Sequence, residues 1–187
     1  MKRKIITVLM IMGVVMSWFS FARADSDMDA AKTIYDFSLQ SIDGTSMPLS
    51  AYRGKAILLV NTASQCGFTP QYDGLQKIWQ AYRDRGLVVI ATPANNFNNQ
   101  EPGSNEEIKK FCAVNFNVDF PMSAKIDVIG KNADPLYQWM SGLKRGGKPK
   151  WNFYKYLFNR NGVLIDSWSP VTKPDSAEVM RAIEGVL

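Results

Sequence analysis

The chain has 187 residues, with 22 Lys and Arg, 17 Asp and Glu, two Cys and no His. The lack of histidine excludes a Ser-His-Asp or Cys-His catalytic pair and any His-held metal or haem, and two Cys are too few for a four-thiolate zinc site or an iron–sulfur cluster. At 46% hydrophobic residues, the chain is too apolar to be disordered and is long enough for one domain with its own core. We therefore expect neither a metal nor a cofactor.

The positive charge is concentrated at the N-terminus. The net charge is +5, but residues 1–24 hold four of the basic residues and no acidic one, so the rest of the chain carries 18 positive against 17 negative charges. A nearly neutral domain gives no basis for a nucleic-acid-binding surface, and we expect no nucleic-acid partner.

Residues 1–24 also have the pattern of a secretory signal peptide. A basic start is followed by an apolar run over residues 5–21 and by Ala22-Arg23-Ala24. Cleavage after Ala24 would leave residues 25–187 as an exported, periplasmic domain without stable membrane association. The alternative is an uncleaved anchor, since residues 5–22 are only just long enough to span a bilayer.

The first half of the mature chain alternates strands and helices. A hairpin is predicted where residues 33–40 precede Asp43-Gly44, and the continuous apolar run 56–60 indicates a strand buried on both faces. Thr69 followed by Pro70 predicts the N-cap and first residue of a helix that continues to Arg85-Gly86. Residues 87–90 then predict a second buried strand.

The second half continues this pattern and ends in a hairpin and a helix. Ser104 and Glu107 form a capping box that predicts a helix through Cys112. The later predicted elements are a short strand or its edge over residues 125–129, a helix from Asp134-Pro135, a hairpin of residues 154–158 and 163–168 around Asn159–Gly162, and a helix over about 176–186. This order predicts an α/β, thioredoxin-like fold: a central mixed β-sheet with helices on both faces and an N-terminal β-hairpin.

Cys66 stands after the first buried strand and just before the helix that begins near Pro70. The positive end of a helix and its unpaired backbone N–H groups stabilise a thiolate, so this position predicts a nucleophile. From the residue alone, the alternative is a small apolar side chain packed under a loop.

Three segments resemble the motifs of the glutathione peroxidase family. They are Asn61-Thr-Ala-Ser-Gln-Cys-Gly-Phe-Thr-Pro-Gln-Tyr72, Asn95-Asn-Phe-Asn-Asn-Gln-Glu-Pro-Gly-Ser104 and Lys150-Trp-Asn-Phe153. The likeness extends over nearly all of residues 34–187. It implies a thioredoxin-like fold and a thiol peroxidase activity on hydrogen peroxide and organic or lipid hydroperoxides. It also implies a catalytic set of four residues: Cys66, Gln100, Trp151 and Asn152.

The residue types of this set suit peroxide cleavage without histidine. The side chains of Gln100, Asn152 and Trp151 all offer N–H donors, which stabilise the departing oxygen when a thiolate attacks a peroxide. Taken singly, each has a plainer explanation, as a solvated loop amide, a turn residue and a core aromatic.

The second motif departs from the family pattern. Asn96, Asn98 and Asn99 stand where the family commonly has Gln, Gly and Gly, and Ala94 stands where many members have another Cys. After Gly, Asn is the residue that best tolerates positive φ, so the open point is whether the turn before Gln100 forms in the same way.

Cys112 matches the position of the resolving cysteine in family members reduced by thioredoxin. The resemblance implies that it condenses with a sulfenic acid on Cys66 to form a disulfide, which a thioredoxin-like protein or, as second choice, glutathione then reduces. The alternatives are a buried core cysteine, a permanent structural disulfide in a non-catalytic module, or a thiol-disulfide carrier. The carrier is disfavoured because Thr69, rather than Cys, stands three residues after Cys66.

The segment over residues 141–150 is short. By resemblance, it lacks the insertion that tetrameric relatives use, which implies a monomer. A short segment there also leaves the site open to bulky lipid hydroperoxides.

Overall fold

The computed structural model describes residues 32–187, and the predicted signal peptide lies outside them. In chain order the elements are β1 (Ser38–Gln40), β2 (Ser46–Pro48), β3 (Ala56–Thr62), α1 (Gln71–Tyr82), β4 (Leu87–Pro93), α2 (Asn105–Phe116), α3 (Pro135–Ser141), β5 (Lys155–Phe158), β6 (Leu164–Trp168) and α4 (Ala177–Glu184). Within this range no helix combines the length and apolar character needed to cross a bilayer.

Four strands form a mixed sheet in the order β4-β3-β5-β6. β3 runs parallel to β4, with Ala56 beside Leu87, and antiparallel to β5, with Ile57 beside Phe158. All seven residues of β3 and of β4 are buried, which explains why both were continuous apolar runs in the sequence. β1 and β2 pair separately as the predicted N-terminal hairpin.

Helices cover both faces of this sheet. On one face, apolar side chains of α1, α2 and α4 pack against Leu58, Val60 and Val89. On the other, α3 and the N-terminal hairpin pack against Ile57 and Leu59. This arrangement confirms the predicted α/β, thioredoxin-like fold.

Helix α2 begins as its capping box predicts. The Ser104 hydroxyl accepts a hydrogen bond from Glu107 N–H, and the Glu107 carboxylate accepts one from Ser104 N–H at 2.7 Å. The helix ends at Asn117, which adopts φ +51 and closes the last turn.

Two local predictions are wrong. Thr69 does not cap α1, because Pro70 occupies the N-cap position. Tight turns lead into the helix, and in one of them the Tyr72 N–H donates to the Thr69 carbonyl at 3.1 Å. Residues 125–129 form no strand either. The extended chain pairs just before them, at Met122 and Ser123, in two isolated bridges.

Candidate active site

Cys66 lies in the loop between β3 and α1, and the loop is closed tightly around it. Its sulfur accepts a hydrogen bond from the Phe68 N–H at 3.4 Å. The Cys66 N–H donates to the Thr69 hydroxyl at 3.0 Å, and that hydroxyl donates to the Ala63 carbonyl at 2.9 Å. Thr69 thus holds the cysteine loop instead of capping the helix. The predicted nucleophile is 9% exposed, with a backbone donor directed at its sulfur.

Gln100 and Asn152 are in direct contact. The Asn152 Nδ2 donates to Gln100 Oε1 at 2.8 Å, which leaves the Gln100 NH₂ group as a donor. The backbone joins this pair to the cysteine loop, because the Gln65 N–H donates to the Gln100 carbonyl at 2.9 Å. Asn152 is fully buried and its Oδ1 has no protein partner. The structure therefore brings three of the four predicted residues into adjoining loops.

Trp151, the fourth predicted residue, is held in place by the side chain of Asn61, which was not predicted as a site residue. Asn61, near the end of β3, donates from Nδ2 to the Trp151 carbonyl at 3.0 Å and accepts from the Tyr154 N–H at 3.1 Å. The indole lies 5.8 Å from the Phe97 ring and packs against the core cluster that contains Cys66. Asn61 directly follows the apolar run 56–60, and a polar residue at the end of a buried strand was the available signal.

The turn before Gln100 forms with Asn in place of Gly. Asn98 and Asn99 both adopt φ +52, the left-handed conformation that Asn tolerates best after Gly. The Asn95 side chain supports the turn by accepting the Glu101 N–H at 2.8 Å. The departures from the family motif therefore do not prevent the turn before Gln100 from forming.

Cys112 is fully buried on α2 and is a free thiol, as is Cys66. Burial raises the pKa of Cys112 to about 11. The two cysteines belong to one core cluster and are not bonded to each other.

Two buried charged side chains near the site were not predicted. Glu101 is 1% exposed, and burial raises the pKa of its carboxyl to about 7. Lys155 is fully buried at the start of β5, and burial lowers its pKa to about 7. Its ammonium donates to the Phe153 carbonyl at 2.7 Å and to Gln71 Oε1 at 2.8 Å. In residues 32–187, no cluster of three His, Cys, Asp or Glu could hold a metal.

Comparison with known proteins identifies close relatives. A family model described as glutathione peroxidase matches residues 34–141. A glutathione peroxidase-like peroxiredoxin of Schizosaccharomyces pombe is 48% identical, over 82% of this chain and 98% of its own length. A hydroperoxy fatty acid reductase of Synechocystis is 42% identical, over 84% of this chain and 98% of its own.

Solved structures agree with the fold. The crystal structure of T. cruzi GPX1 matches with a TM-score of 0.66 at 33% identity, over 83% of this chain and 96% of that one. A thiol:disulfide interchange protein of the thioredoxin family from Chlorobium tepidum matches with a TM-score of 0.52 at 17% identity, over 80% of this chain and 92% of that one. The second likeness shows the thioredoxin-like fold alone.

Proposed function

The chain belongs to the glutathione peroxidase family, and on that basis we propose that it reduces hydroperoxides with two cysteines. Peroxidase activity follows from the family; the course of the reaction is our proposal. The Cys66 thiolate attacks one peroxide oxygen and becomes a sulfenic acid, while the other oxygen takes a proton and leaves as water or an alcohol. Cys112 then displaces the sulfenic oxygen as water and forms a disulfide with Cys66.

The observation that carries this proposal is that the cysteine loop is hydrogen-bonded to the loop of Gln100, whose side chain in turn contacts Asn152. The Phe68 N–H is directed at the Cys66 sulfur, and the hydrogen-bonded pair of Gln100 and Asn152 adjoins the same loop through Gln65. Fixed N–H donors of this kind stabilise negative charge on the departing oxygen without reorganisation during the reaction.

The shallow packing of α2 supports the resolving role of Cys112. Helix α2 has two buried residues, Ile108 and Cys112, whereas α1, of the same length, has six. Apart from these two residues, only the partly buried Phe111 and Phe116 of α2 pack against the core, and elements with few buried side chains are the ones that open locally at low cost. Such opening would release Cys112 toward Cys66.

For the reductant and the substrate we propose a thioredoxin-like dithiol protein and a broad set of hydroperoxides. A protein disulfide is opened efficiently by a dithiol, which favours thioredoxin over glutathione. The Synechocystis relative is named for hydroperoxy fatty acids, and the short segment between α3 and β5 is compatible with such bulky substrates. We therefore propose activity on hydrogen peroxide and on lipid hydroperoxides.

We further propose that the protein acts as a monomer in the periplasm after cleavage at Ala24. The charge and hydropathy pattern of residues 1–24 supports cleavage and export, and the short segment over residues 141–150 supports the monomer. The mass of the protein recovered from the producing cell tests the cleavage, since removal of 24 residues leaves a chain that begins at Asp25.

Cysteine variants test the reaction. With hydrogen peroxide and a thioredoxin system, Cys66→Ser should abolish turnover. Cys112→Ser should consume about one equivalent of peroxide, gain one oxygen atom on Cys66 and fail to recycle. Full activity of the Cys66 variant would overturn the proposal. Absence of the added oxygen in the Cys112 variant would instead favour a carrier or a non-catalytic module.

A further inference from the structure

A group of buried polar side chains lies beside the cysteines. It consists of Thr62, Ser64, Tyr72 and Glu101, and its members face one another: Ser64 lies against the Glu101 carboxyl group, and the Tyr72 hydroxyl lies between Thr62 and the Cys112 thiol. Buried polar groups in such contact form one network.

Glu101 has one neighbour close to Cys66 and others at Cys112. Ser64, two residues before Cys66, lies against its carboxyl group. The charge of Glu101 also acts on the Cys112 thiol and on Tyr72, whose hydroxyl faces that thiol. The carboxyl group therefore lies within electrostatic reach of the resolving thiol and beside the loop of the attacking one.

Two further charged groups lie near Glu101. Lys125 attracts its carboxylate, and the Lys125 ammonium donates to the Glu101 carbonyl at 3.2 Å and to the Gly103 carbonyl at 2.7 Å. The Glu107 carboxylate lines the same cleft but is engaged by the Ser104 N–H. Glu101 is thus the buried acid of this region, and Ser64 is the hydrogen-bonding neighbour of its carboxyl group.

A cleft of about 450 Å³ separates the cysteine loop from α2. Ser64, Gln65 and Glu101 form one side, and Ile108 and Phe111 of α2 form the other. Cys112 follows Phe111 in the chain but faces Tyr72 inside the core, so its thiol would reach the cleft that Glu101 borders through the local opening of α2 proposed above.

We propose that Glu101 is the proton carrier of the resolution step, a role that rests on the proposed function. Its carboxylate takes the proton from the Cys112 thiol as that sulfur attacks the sulfenic sulfur of Cys66. The S–S bond forms, the S–O bond of Cys66 breaks, and the same proton passes to the departing hydroxide to give water. The Cys112 sulfur is oxidised and the Cys66 sulfur is reduced, so atoms and electrons balance without another reactant.

The acidities of the two groups support this role. Burial raises the pKa of Cys112 to about 11, so the thiol is protonated when it leaves its place in α2 and has to lose its proton as it attacks. Burial also raises the pKa of Glu101 to about 7, close to the pH at which a group both accepts and returns a proton efficiently. With a proton carrier, the thiol can lose its proton during the attack and does not have to ionise beforehand.

The test separates the two chemical steps in the full-length protein. One equivalent of hydrogen peroxide is added, the reaction is quenched at intervals with a sulfenic-acid-specific label, and mass spectrometry measures sulfenic acid and disulfide. Glu101→Gln should form sulfenic acid at nearly the wild-type rate but resolve it at least about tenfold more slowly at pH 7.5. Glu101→Asp should recover part of the lost rate.

The pH profile distinguishes a proton carrier from a structural residue. The wild-type resolution rate should rise and level off between about pH 6 and 8 as the carboxylate forms, whereas in Glu101→Gln it should keep rising about tenfold per pH unit as the thiol ionises. Glu106→Gln is the matched control, because Glu106 is an exposed acid in the first turn of α2, and its profile should equal that of the wild type.

Each outcome has a definite meaning. If Cys66 gains no oxygen in the wild type, the proposed function itself fails. If sulfenic acid forms normally and Glu101→Gln resolves it with the wild-type rate and profile, the proton-carrier role alone is overturned. If circular dichroism shows that Glu101→Gln does not fold, the pH profile of the wild-type resolution rate is the test. A rate that does not change between about pH 6 and 8 refutes the role.

Discussion

Replacing Thr69 with Val should both destabilise the protein and slow its reaction with peroxide. The substitution keeps the shape of the side chain but removes the hydroxyl that accepts from the Cys66 N–H and donates to the Ala63 carbonyl. Each buried backbone group left without a partner costs about 1–3 kcal/mol. We therefore expect the free energy of unfolding to fall by about 2–4 kcal/mol, which lowers the melting temperature by about 5–15 °C.

Thr69→Ser is the matched control, because it keeps the hydroxyl and loses only a methyl group, worth about 1 kcal/mol. Urea unfolding followed by tryptophan fluorescence gives the stabilities, and stopped-flow mixing with hydrogen peroxide gives the rate of the first step. A loosened cysteine loop should slow that step by at least about tenfold in Thr69→Val. If the Val and Ser variants match in both measurements, the hydroxyl does not hold the loop.

Three further substitutions test other parts of the site. Asn61→Ala removes the side chain that joins β3 to the Trp151 and Tyr154 backbone, so peroxide reduction should fall at least about tenfold in steady-state assays; wild-type activity would contradict this. Asn98→Ala should cost about 1 kcal/mol in urea unfolding because of its positive φ, whereas Asn98→Gly should be nearly neutral, and equal losses would argue against backbone strain. Burial lowers the pKa of Lys155 from 10.5 to about 7, so the unfolded chain binds more protons between these values and stability rises with pH. Lys155→Met should remove about 1–2 kcal/mol of that rise between about pH 7 and 9 in pH-dependent unfolding, and an unchanged slope would refute the assignment.

Much of the fold could be predicted because its signals are local. The apolar runs of β3 and β4 indicate strands without reference to the rest of the chain, and the capping box at Ser104 fixes the start of α2 within one residue. The prediction for Thr69 failed because its hydroxyl is used by Cys66 and Ala63, in the loop before the helix, rather than by the helix. Sequence spacing alone does not show whether such a hydroxyl binds the helix N-terminus or the preceding loop.

The candidate site likewise has residues that could be predicted from the sequence and residues that could not. Its four expected residues were predicted by resemblance, and the structure places Gln100 and Asn152 in direct contact. The burial of Glu101 and Lys155 could not be predicted, because charged side chains are usually exposed and no pattern marks the exceptions. These two residues show their unusual acidity only after long-range packing has excluded water from them.

The strand order has a consequence for how the enzyme is made. β5 is close to the end of the chain but lies in the middle of the sheet, where Phe158 pairs with Ile57, and Trp151 and Asn152 immediately precede it. A nascent polypeptide therefore carries Cys66 and Gln100 long before it has synthesised Asn152, the side chain that donates to Gln100. Because a central strand of the sheet is added so late, the site is assembled only when synthesis is nearly complete and the last hairpin has inserted.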